Sequence, residues 1–281
     1  MYVFRTIKGL RNYLQSNNER QIGFTPTMGA LHEGHLSLLH RSKKASDISV
    51  VSIFVNPTQF NDPGDLVKYP RTLSSDLGLL YAAGCDVVFV PEADEIYPED
   101  EPSEDIDLSG LDLHMEGYFR PGHFAGVAQV VKRLLDIVKP QSLFMGQKDF
   151  QQLAVIQHLI LTHELPVHLV MCPTVREANG LAMSSRNALL SADLRMRASV
   201  IYKTLRYCAE QVNTIPLADL QEVCIKQLHI PDFRPEYFEI VDGKTLQPAN
   251  EHTQYVVACC AVWADNVRLI DNVVLKRGEA G

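Results

Sequence analysis

The segment that most constrains the fold is a near-continuous apolar run at residues 47–55, which contains the sequence ISVVSIFV. A strand with one solvated face alternates apolar and polar residues, whereas a strand that is buried on both faces is apolar at nearly every position. Strands of the second kind occur in parallel sheets that are covered by helices on both sides. The run therefore predicts an α/β domain with a parallel sheet at its centre.

Segments typical of strands and of helices alternate over the first two-thirds of the chain. Strands are predicted at residues 21–25, 47–55, 85–90, 142–145 and 166–171. Helices are predicted at residues 34–45, 72–83, 124–138 and 150–161. This alternation implies βαβ units with right-handed crossovers. Ligands of such sheets bind at the carboxyl ends of the strands, so residues that follow strands are the first candidates for a site.

The pattern changes after Pro173. Two helices are predicted at residues 193–212 and 217–228, and three strands at 237–241, 255–263 and 267–270. We therefore predict two domains: residues 1–174, with the parallel sheet, and residues 175–281, a smaller α+β domain. An acidic, proline-containing stretch at residues 92–107 predicts a surface loop, for which the sequence indicates no function.

Charge and hydropathy exclude several classes of protein. The chain of 281 residues has 26 Lys and Arg against 34 Asp and Glu, a net charge of −8, which argues against an extended surface for nucleic acid. No apolar run reaches the roughly 20 residues of a membrane-spanning helix. The N-terminal residues lack the apolar core of a secretory signal, so we expect a cytoplasmic protein.

The segment after the first predicted strand has the sequence TPTMGALHEGHLSLL, residues 25–39. Gly29 favours a turn, and His32 and His35 lie where the next helix begins. Free N–H groups and the positive end of the dipole make a helix N-terminus suitable for a phosphate. The sequence therefore predicts a phosphate site here, although neither common phosphate-loop motif occurs. The alternatives are that one histidine caps the helix while the other is solvated, or that the pair binds a metal, for which no third ligand is evident.

Two further segments carry cationic or amide side chains. In MGQKDFQQL, residues 145–153, Lys148 is suited to holding phosphates as a point charge, and Gln152 lies on the first turn of a predicted helix. Asp149 is equally compatible with a helix cap. In VREANGLAMSSRNALL, residues 175–190, a polar loop ends at Arg186, and the alternative is an ordinary interdomain turn.

Two more segments place single polar residues beside predicted elements. Gln59 follows the buried strand in FVNPTQF, residues 54–60. Arg120 and His123 lie at a helix start in FRPGHFAGV, residues 119–127. Alternatively, Arg120 is only a surface charge and His123 only a cap.

Together these segments resemble the pantoate–β-alanine ligases. The matching motifs, in chain order over residues 26–272, are PTMGALHEGH, FVNPTQF, YPRT, RPGHFAGV, GQKDFQQ, PTVREANGLAMSSRN and RLIDN. That family belongs to the HIGH-motif nucleotidyltransferases. The resemblance implies a Rossmann-like parallel-sheet domain, a smaller second domain that folds over the nucleotide, and a homodimer.

The resemblance also implies a reaction with two steps. The carboxylate of pantoate attacks the α-phosphate of ATP, which gives pantoyl adenylate and pyrophosphate. The amine of β-alanine then attacks the adenylate, which gives pantothenate and AMP. Mg²⁺ accompanies ATP in this family.

Roles for individual residues follow from the matched motifs. His35 matches a histidine regarded as a proton donor, and His32, Lys148 and Arg186 are the other residues expected to act in catalysis. Gln59 and Gln152 match the glutamines that hold pantoate, Gln59 also matches a β-alanine contact, and Arg120 is assigned to the substrate site. The positions that match nucleotide-binding residues are Met28, Gly29, Ala30, Leu31, His32, Glu33, Gly34, His35, Gly146, Gln147, Lys148, Asp149, Val175, Met183, Ser184, Ser185 and Arg186.

Two positions depart from the pattern of the family. Some members carry a pair of acidic residues after YPRT that help to bind Mg²⁺, and here only Asp76 remains as a metal ligand. Mg²⁺ then depends chiefly on the phosphates of ATP. Many members have an acidic residue in place of Gln147, and we expect Gln147 to be peripheral.

Three other functions are compatible with parts of the sequence. A nucleotidyltransferase of the same superfamily that acts on a phosphorylated acceptor would need a basic acceptor pocket, against which Gln59 and Gln152 argue. A non-catalytic nucleotide-binding regulator would bind ATP without turnover, against which His35, Lys148 and Arg186 argue. An aminoacyl-tRNA synthetase would need a basic region for tRNA, which this acidic chain lacks.

Overall fold

The computed structural model describes residues 1–60, 63–98 and 105–276. The chain forms two compact units. The first unit consists of Met1–Asp112, Arg120–Gly146 and Val155–Cys172, and the second unit consists of Leu113–Phe119, Gln147–Ala154 and Pro173–Gly281. The predicted domains 1–174 and 175–281 are a simpler division of the chain and stay a prediction.

The first unit contains a parallel sheet of six strands. In chain order they are β1 (Tyr2–Phe4), β2 (Ile22–Thr27), β3 (Ile48–Ile53), β4 (Val87–Phe89), β5 (Ser142–Gly146) and β6 (His168–Cys172). Their order in the sheet is β1-β4-β3-β2-β5-β6, and every pair is parallel. The chain extends the sheet to one side of β2 and then to the other, so the order reverses between β2 and β5. This doubly wound arrangement confirms the predicted Rossmann-like fold class and predicts ligand binding at the carboxyl ends of β2 and β5.

Eleven helices are described in residues 1–60, 63–98 and 105–276. In chain order they are α1 (Ile7–Gln15), α2 (Glu33–Ala45), α3 (Pro63–Lys68), α4 (Leu73–Ala82), α5 (Ala93–Ile96), α6 (Met115–Phe119), α7 (His123–Val138), α8 (Phe150–Thr162), α9 (Ala192–Arg197), α10 (Ser199–Gln211) and α11 (Leu217–Leu228). Two short 3₁₀ helices span Pro57–Gln59 and Ser185–Leu189. None of these helices is long and apolar enough to cross a membrane.

The apolar run at residues 47–55 forms β3, and all six residues of that strand are buried. On one face, Val51 and Ile53 of β3 pack in a cluster that includes Leu36 and Leu39 of α2. Each such side chain contributes roughly 1.5–3 kcal/mol by leaving water. Burial of β3 thus fixes α2 against the sheet, and with it the position of the helix start that carries the two histidines.

The second unit contains an antiparallel sheet of three strands, β7 (Phe233–Asp242), β8 (Val256–Ala264) and β9 (Val267–Lys276), in the order β7-β8-β9. Leu205 of α10 and Leu220 of α11 share a hydrophobic core with Phe238 and Val262 of the sheet. The prediction of a smaller α+β part after the parallel sheet is confirmed. The predicted strand 237–241 was too short, because β7 begins at Phe233 and continues through a register shift between Pro235 and Tyr237.

The acidic stretch 92–107 is not simply a surface loop. Residues Ala93–Ile96 form α5, and the side chain of Ile96 is only 1% exposed. The loop prediction was wrong there, because one apolar residue among acidic neighbours is enough to anchor a helical turn on the core. Residues 99–104 of the stretch lie outside the described residues.

Candidate functional site

The turn between β2 and α2 has an unfavourable backbone conformation that a buried carboxylate stabilises. Gly29 has a φ of 82°, and Ala30 has a φ of 49°, which is unfavourable for a residue with a Cβ atom. The carboxylate of Asp76, in the first turn of α4, accepts the backbone N–H groups of Ala30 at 3.1 Å and Leu31 at 2.8 Å. Thr72 Oγ1 also donates to this carboxylate. Asp76 is 1% exposed, so it acts as a buried anchor of the turn.

His32 and His35 together cap the N-terminus of α2. Nδ1 of His32 accepts the backbone N–H of Gly34 at 3.1 Å, and Nδ1 of His35 accepts the backbone N–H of His32 at 3.3 Å. The arrangement is a capping box in which imidazoles replace the usual Ser and Glu. We call His32 and His35 the capping pair. The alternative that one histidine caps and the other is solvated was wrong, because both rings cap.

The cap determines which nitrogen of each ring accepts a hydrogen bond and which one donates. In each ring of the capping pair, Nδ1 accepts a backbone N–H and therefore carries no proton. Nε2 then carries the proton and is the hydrogen-bond donor. The rings lie 4.1 Å apart between centroids, and both residues are partly exposed. The pair thus offers two N–H donors at the positive end of a helix of 13 residues.

Gln59 ends the 3₁₀ helix that follows β3, and its side chain is held from two directions. Asn56 Nδ2 donates to Gln59 Oε1 at 3.2 Å, and Gln59 Nε2 lies 3.0 Å from the sulfur of Met28. The close approach of α7 requires Gly126, because a Cβ atom there would lie 2.4 Å from the carbonyl oxygen of Thr58. Asn56 Nδ2 also donates to the carbonyl oxygen of Gly126 at 3.1 Å. Gln59 is therefore fixed beside the turn after β2.

His123 connects Arg120 with Gln59. Nη1 of Arg120 lies 3.2 Å from Nε2 of His123, and Nδ1 of His123 lies 2.9 Å from the backbone oxygen of Gln59. Because Arg120 can only donate, Nε2 accepts and Nδ1 donates. His123 is 7% exposed. The sequence marked His123 as a candidate at a helix start, with a cap as the alternative, and its link to the Gln59 segment is visible only in the fold.

In the second unit, the turn Gln147–Asp149 lies between β5 and α8 in the chain. Nζ of Lys148 is 3.3 Å from Oδ1 of Asp149, and the side chain of Lys148 is 18% exposed. The backbone oxygen of Asp149 accepts the N–H of Leu153, so Asp149 starts α8. The side-chain amide of Asn272 donates to the backbone oxygens of Gln147 and Lys148, each at 2.8 Å.

The two glutamines at the start of α8 have different environments. Gln151 is 4% exposed, its Oε1 accepts the backbone N–H of Glu116, and its Nε2 donates to the backbone oxygen of His114. Gln152 is only partly buried. The hydrogen bonds of Gln151 hold segment Leu113–Phe119. The substrate role of Gln152 stays a prediction.

The loop after β6 is a folded hairpin. The N–H of Met183 donates to the oxygen of Val175, and Arg176 pairs with Ala182 in a β-bridge. Ser184 then caps the 3₁₀ helix Ser185–Leu189 by accepting the N–H of Arg186 at 3.2 Å. The side chain of Arg186 is exposed.

Arg176 and Asp271 fix the base of this hairpin. Nη1 and Nη2 of Arg176 lie 2.5 and 3.0 Å from the carboxylate of Asp271, and the guanidinium stacks 3.8 Å from the ring centre of Tyr202. Burial raises the pKa of the Asp271 carboxyl above its usual range, and the Arg176 hydrogen bonds oppose that rise. Arg176 thus compensates a buried carboxylate, as in other bidentate pairs.

The described part of the chain holds no preformed cluster of metal-binding side chains. No group of three or more His, Cys, Asp and Glu residues there is placed to hold an ion. Both oxygens of Asp76 accept backbone N–H groups, so this carboxylate already has partners that compete with a cation. The residues present therefore do not fit a protein-held Mg²⁺, and the metal role of Asp76 stays a prediction that its geometry does not favour.

The predicted site residues fall into two groups, each within one unit. The first unit holds Met28, Gly29, Ala30, Leu31, the capping pair with Glu33 and Gly34, Gln59, Arg120 and Gly146. The second unit holds Gln147, Lys148, Asp149, Gln152, Val175, Met183, Ser184, Ser185 and Arg186. Asp76, His123 and Asn272 are the supporting residues whose contacts the sequence did not reveal.

Comparison with known families and proteins points in one direction. A model of the pantoate-beta-alanine ligase family matches residues 2–274. The pantothenate synthetase of Azobacteroides pseudotrichonymphae is 47% identical over 279 residues, which cover 97% of this chain and 99% of that protein. The pantothenate synthetase of Bacteroides fragilis is 45% identical over 284 residues, 98% of this chain and 99% of that protein.

Solved structures show the same similarity. The crystal structure of pantothenate synthetase from Thermus thermophilus has a TM-score of 0.91 at 39% identity, covering 98% of this chain and 100% of that one. The pantoate-beta-alanine ligase of Francisella tularensis, solved in complex with a beta-gamma ATP and beta-alanine, has a TM-score of 0.80 at 35% identity. That match covers 100% of this chain and 99% of the other.

Proposed function

The chain belongs to the pantoate–β-alanine ligase family, and from that membership we propose that it makes pantothenate through a pantoyl adenylate. In the first step a carboxylate oxygen of pantoate forms a bond to the α-phosphorus of ATP, and the bond to the bridging oxygen breaks, so pyrophosphate leaves. In the second step the amine of β-alanine bonds to the acyl carbon and AMP leaves. The ammonium proton of β-alanine passes to solvent.

The capping pair is the observation that carries this proposal. In the adenylation step, negative charge increases on the oxygens around the α-phosphorus, and preorganised donors stabilise such charge most effectively. His32 and His35 each have Nδ1 engaged by the backbone, so each presents Nε2–H as a donor without reorientation. The dipole of α2 acts in the same direction. We therefore assign the capping pair to the α-phosphate.

Amide side chains are suited to holding pantoate. Gln59 and Gln152 bind hydroxyl and carboxylate oxygens without forming an ion pair that would weaken the carboxylate as a nucleophile. Gln59 is preoriented by Asn56, and Arg120 lies in the same hydrogen-bonded chain through His123. We propose that Gln59 and Gln152 position pantoate and that Gln59 also contacts β-alanine.

Cationic groups of the second unit are suited to the leaving pyrophosphate. Lys148 supplies a point charge from a fixed turn, and the exposed Arg186 follows a hairpin that is anchored by Arg176. We propose that Lys148, Ser184, Ser185 and Arg186 neutralise the phosphates of ATP. We also propose that Mg²⁺ is held by ATP oxygens, which is how Mg²⁺ is usually bound at nucleotide sites.

The cytoplasmic location and the homodimer are part of this proposal as well, and both are implied by the family. Sedimentation equilibrium of the purified chain tests the second of these directly. A mass of twice 31.5 kDa is the expected result, and a mass of 31.5 kDa at micromolar concentration would contradict it.

Formation of AMP and pyrophosphate tests the proposed function. With ATP, Mg²⁺, pantoate and β-alanine, the protein should form AMP, pyrophosphate and pantothenate in equal amounts. With ATP, Mg²⁺ and pantoate but no β-alanine, it should still release one equivalent of pyrophosphate per site. Nicotinamide mononucleotide in place of pantoate should give none, and release with that phosphorylated acceptor, or no AMP above blank with the full mixture, would refute the proposal.

Replacing Gln152 with alanine should raise KM for pantoate by up to about tenfold, the effect of losing one hydrogen bond. KM for ATP should change by less than about twofold on the same scale. Steady-state rates at varied pantoate and varied ATP measure both. Gln157→Ala, an exposed glutamine on the same helix, is the matched control and should change neither constant. An effect of Gln152→Ala confined to ATP would refute the assignment.

A further inference from the structure

The RLIDN segment, Arg268–Asn272 of β9, is part of the family resemblance but has no role in the proposed chemistry. Asp271 is 3% exposed and Asn272 is 1% exposed, so neither can meet a substrate directly. A buried polar side chain must find its partners inside the protein. The partners of these two residues are the segments that carry the cations of the second unit.

Asn272 directs its side chain to the turn that holds Lys148. Its Nδ2 donates to the backbone oxygens of Gln147 and Lys148 at 2.8 Å each. Its Oδ1 accepts a hydrogen bond from Nε2 of Gln147 at 3.3 Å. Two carbonyl groups of a tight turn therefore converge on one amide group. Aspartate could not replace it, because a carboxylate has no N–H to donate and would face two carbonyl oxygens.

Asp271, the preceding residue, holds the hairpin that leads to Arg186. Its carboxylate accepts both Nη groups of Arg176 and the backbone N–H of Asn272, the latter at 2.8 Å. Arg176 Nη1 also donates to the backbone oxygen of Gly180 at 3.2 Å. Neighbouring residues of one strand thus fix the two loops of the second unit that carry Lys148 and Arg186.

We propose that Asn272 is a positioning residue for Lys148: it fixes the backbone from which the lysine side chain starts. The proposal rests on the proposed function, since it gives Lys148 a role in adenylation. A lysine side chain is flexible, so the position of its ammonium depends on where its backbone is held. A displacement of about 1 Å can reduce a rate by about 100-fold.

A double-mutant cycle tests this proposal. Asn272→Ala should slow single-turnover release of pyrophosphate, with ATP and pantoate, by about 100-fold. The same change in a Lys148→Ala background should slow it by less than about threefold, because contacting groups that act as a unit are not additive. The proposal would be overturned if the rate reduction in the double variant equalled the product of the reductions in the two single variants. An unchanged rate in Asn272→Ala would overturn it as well.

A matched control separates positioning from general loss of stability. Gln221 in α11 likewise bonds a backbone group of the same unit through its side-chain amide, but as an acceptor: its Oε1 accepts the N–H of Ile240 at 3.1 Å. Gln221→Ala should lower the melting temperature without slowing pyrophosphate release. An equal slowing in Gln221→Ala would show that Asn272 matters only for folding and would overturn the proposal.

A second variant keeps the test decisive if Asn272→Ala does not fold. Asn272→Ser retains one hydroxyl donor for the two carbonyl groups and leaves a smaller cavity than alanine does. We therefore expect its rate of pyrophosphate release to lie between the rates of the wild type and of Lys148→Ala. The cycle with Lys148→Ala is then run on the serine variant, with the same criteria. Wild-type protein that releases no pyrophosphate would refute the proposed function, whereas multiplying effects in an active protein would refute only the role of Asn272.

Discussion

Replacing His35 with alanine should lower kcat for pantoate-dependent pyrophosphate release by about 10²–10³-fold, the effect of removing one preorganised donor to a developing charge. The Kd for ATP should rise far less, because the contact strengthens only as charge builds on the α-phosphate. Single-turnover rates and equilibrium binding of ATP measure the two effects separately.

The capping role of His35 needs its own control, because alanine also removes an acceptor for the N–H of His32. Loss of such a cap costs about 0.5–2 kcal/mol of stability. His35→Gln retains a side-chain oxygen that can accept this N–H, as glutamine does in ordinary capping boxes, but places no imidazole donor. We expect His35→Gln to be as stable as the wild type and as slow as His35→Ala. A near-normal rate in His35→Gln would remove the imidazole from the mechanism.

Replacing Lys148 with alanine should slow adenylation by a similar factor, about 10²–10³-fold, because it removes a fixed positive charge from the phosphates. The KM for ATP should also rise, since the ammonium contacts phosphates before the reaction as well as during it. Lys148→Arg should recover part of the rate, because a guanidinium keeps the charge but not its compact geometry.

Lys44→Ala is the matched control for the loss of one positive charge. Lys44 is exposed in the last turn of α2, at the end opposite the capping pair. Its loss should leave the rate of pyrophosphate release within about twofold of the wild type, because exposed charges at a distance are screened by salt. Equal effects of Lys44→Ala and Lys148→Ala would show that net charge, and not a specific contact, is responsible.

Most of the parallel sheet could be predicted because its strands lie within apolar runs between helices, as even the three buried residues of β4 do. The edge strand β1 could not, since it has only three residues, and two of them, Tyr2 and Val3, are exposed. A strand of that length has no alternation to detect, and it is defined by its pairing with β4. The order of the strands likewise depends on tertiary contacts.

Segment Leu113–Phe119 shows why ion pairs between residues that are distant in the chain cannot be predicted from the sequence. Glu116 is 8% exposed and binds Arg268, with Nη1–Oε2 at 2.7 Å and Nη2–Oε1 at 2.6 Å, while Tyr237 donates to it at 2.9 Å. These partners lie more than a hundred residues away in the chain. No local pattern indicates that a glutamate in a glycine- and aromatic-containing stretch is buried.

The site residues could be identified from motifs, but the hydrogen bonds that they make to nearby backbone groups could not be predicted. The spacing of His32 and His35 indicates phosphate binding, whereas the structure shows that the same spacing closes a capping box. The family pattern assigns Asp76 to a metal, and its carboxylate holds the backbone of Ala30 and Leu31. In both cases the hydrogen-bond partner is a backbone group whose direction depends on the turn itself, which residue types do not specify.

The fate of the pantoate carboxylate oxygens tests the central proposal most directly. Pantoate labelled with ¹⁸O in both carboxylate oxygens is converted with ATP and β-alanine, and the products are examined by mass spectrometry. Attack on the α-phosphorus predicts one labelled oxygen in AMP and one in the amide carbonyl of pantothenate. AMP without label, or label in inorganic phosphate formed together with ADP, would contradict an adenylate intermediate.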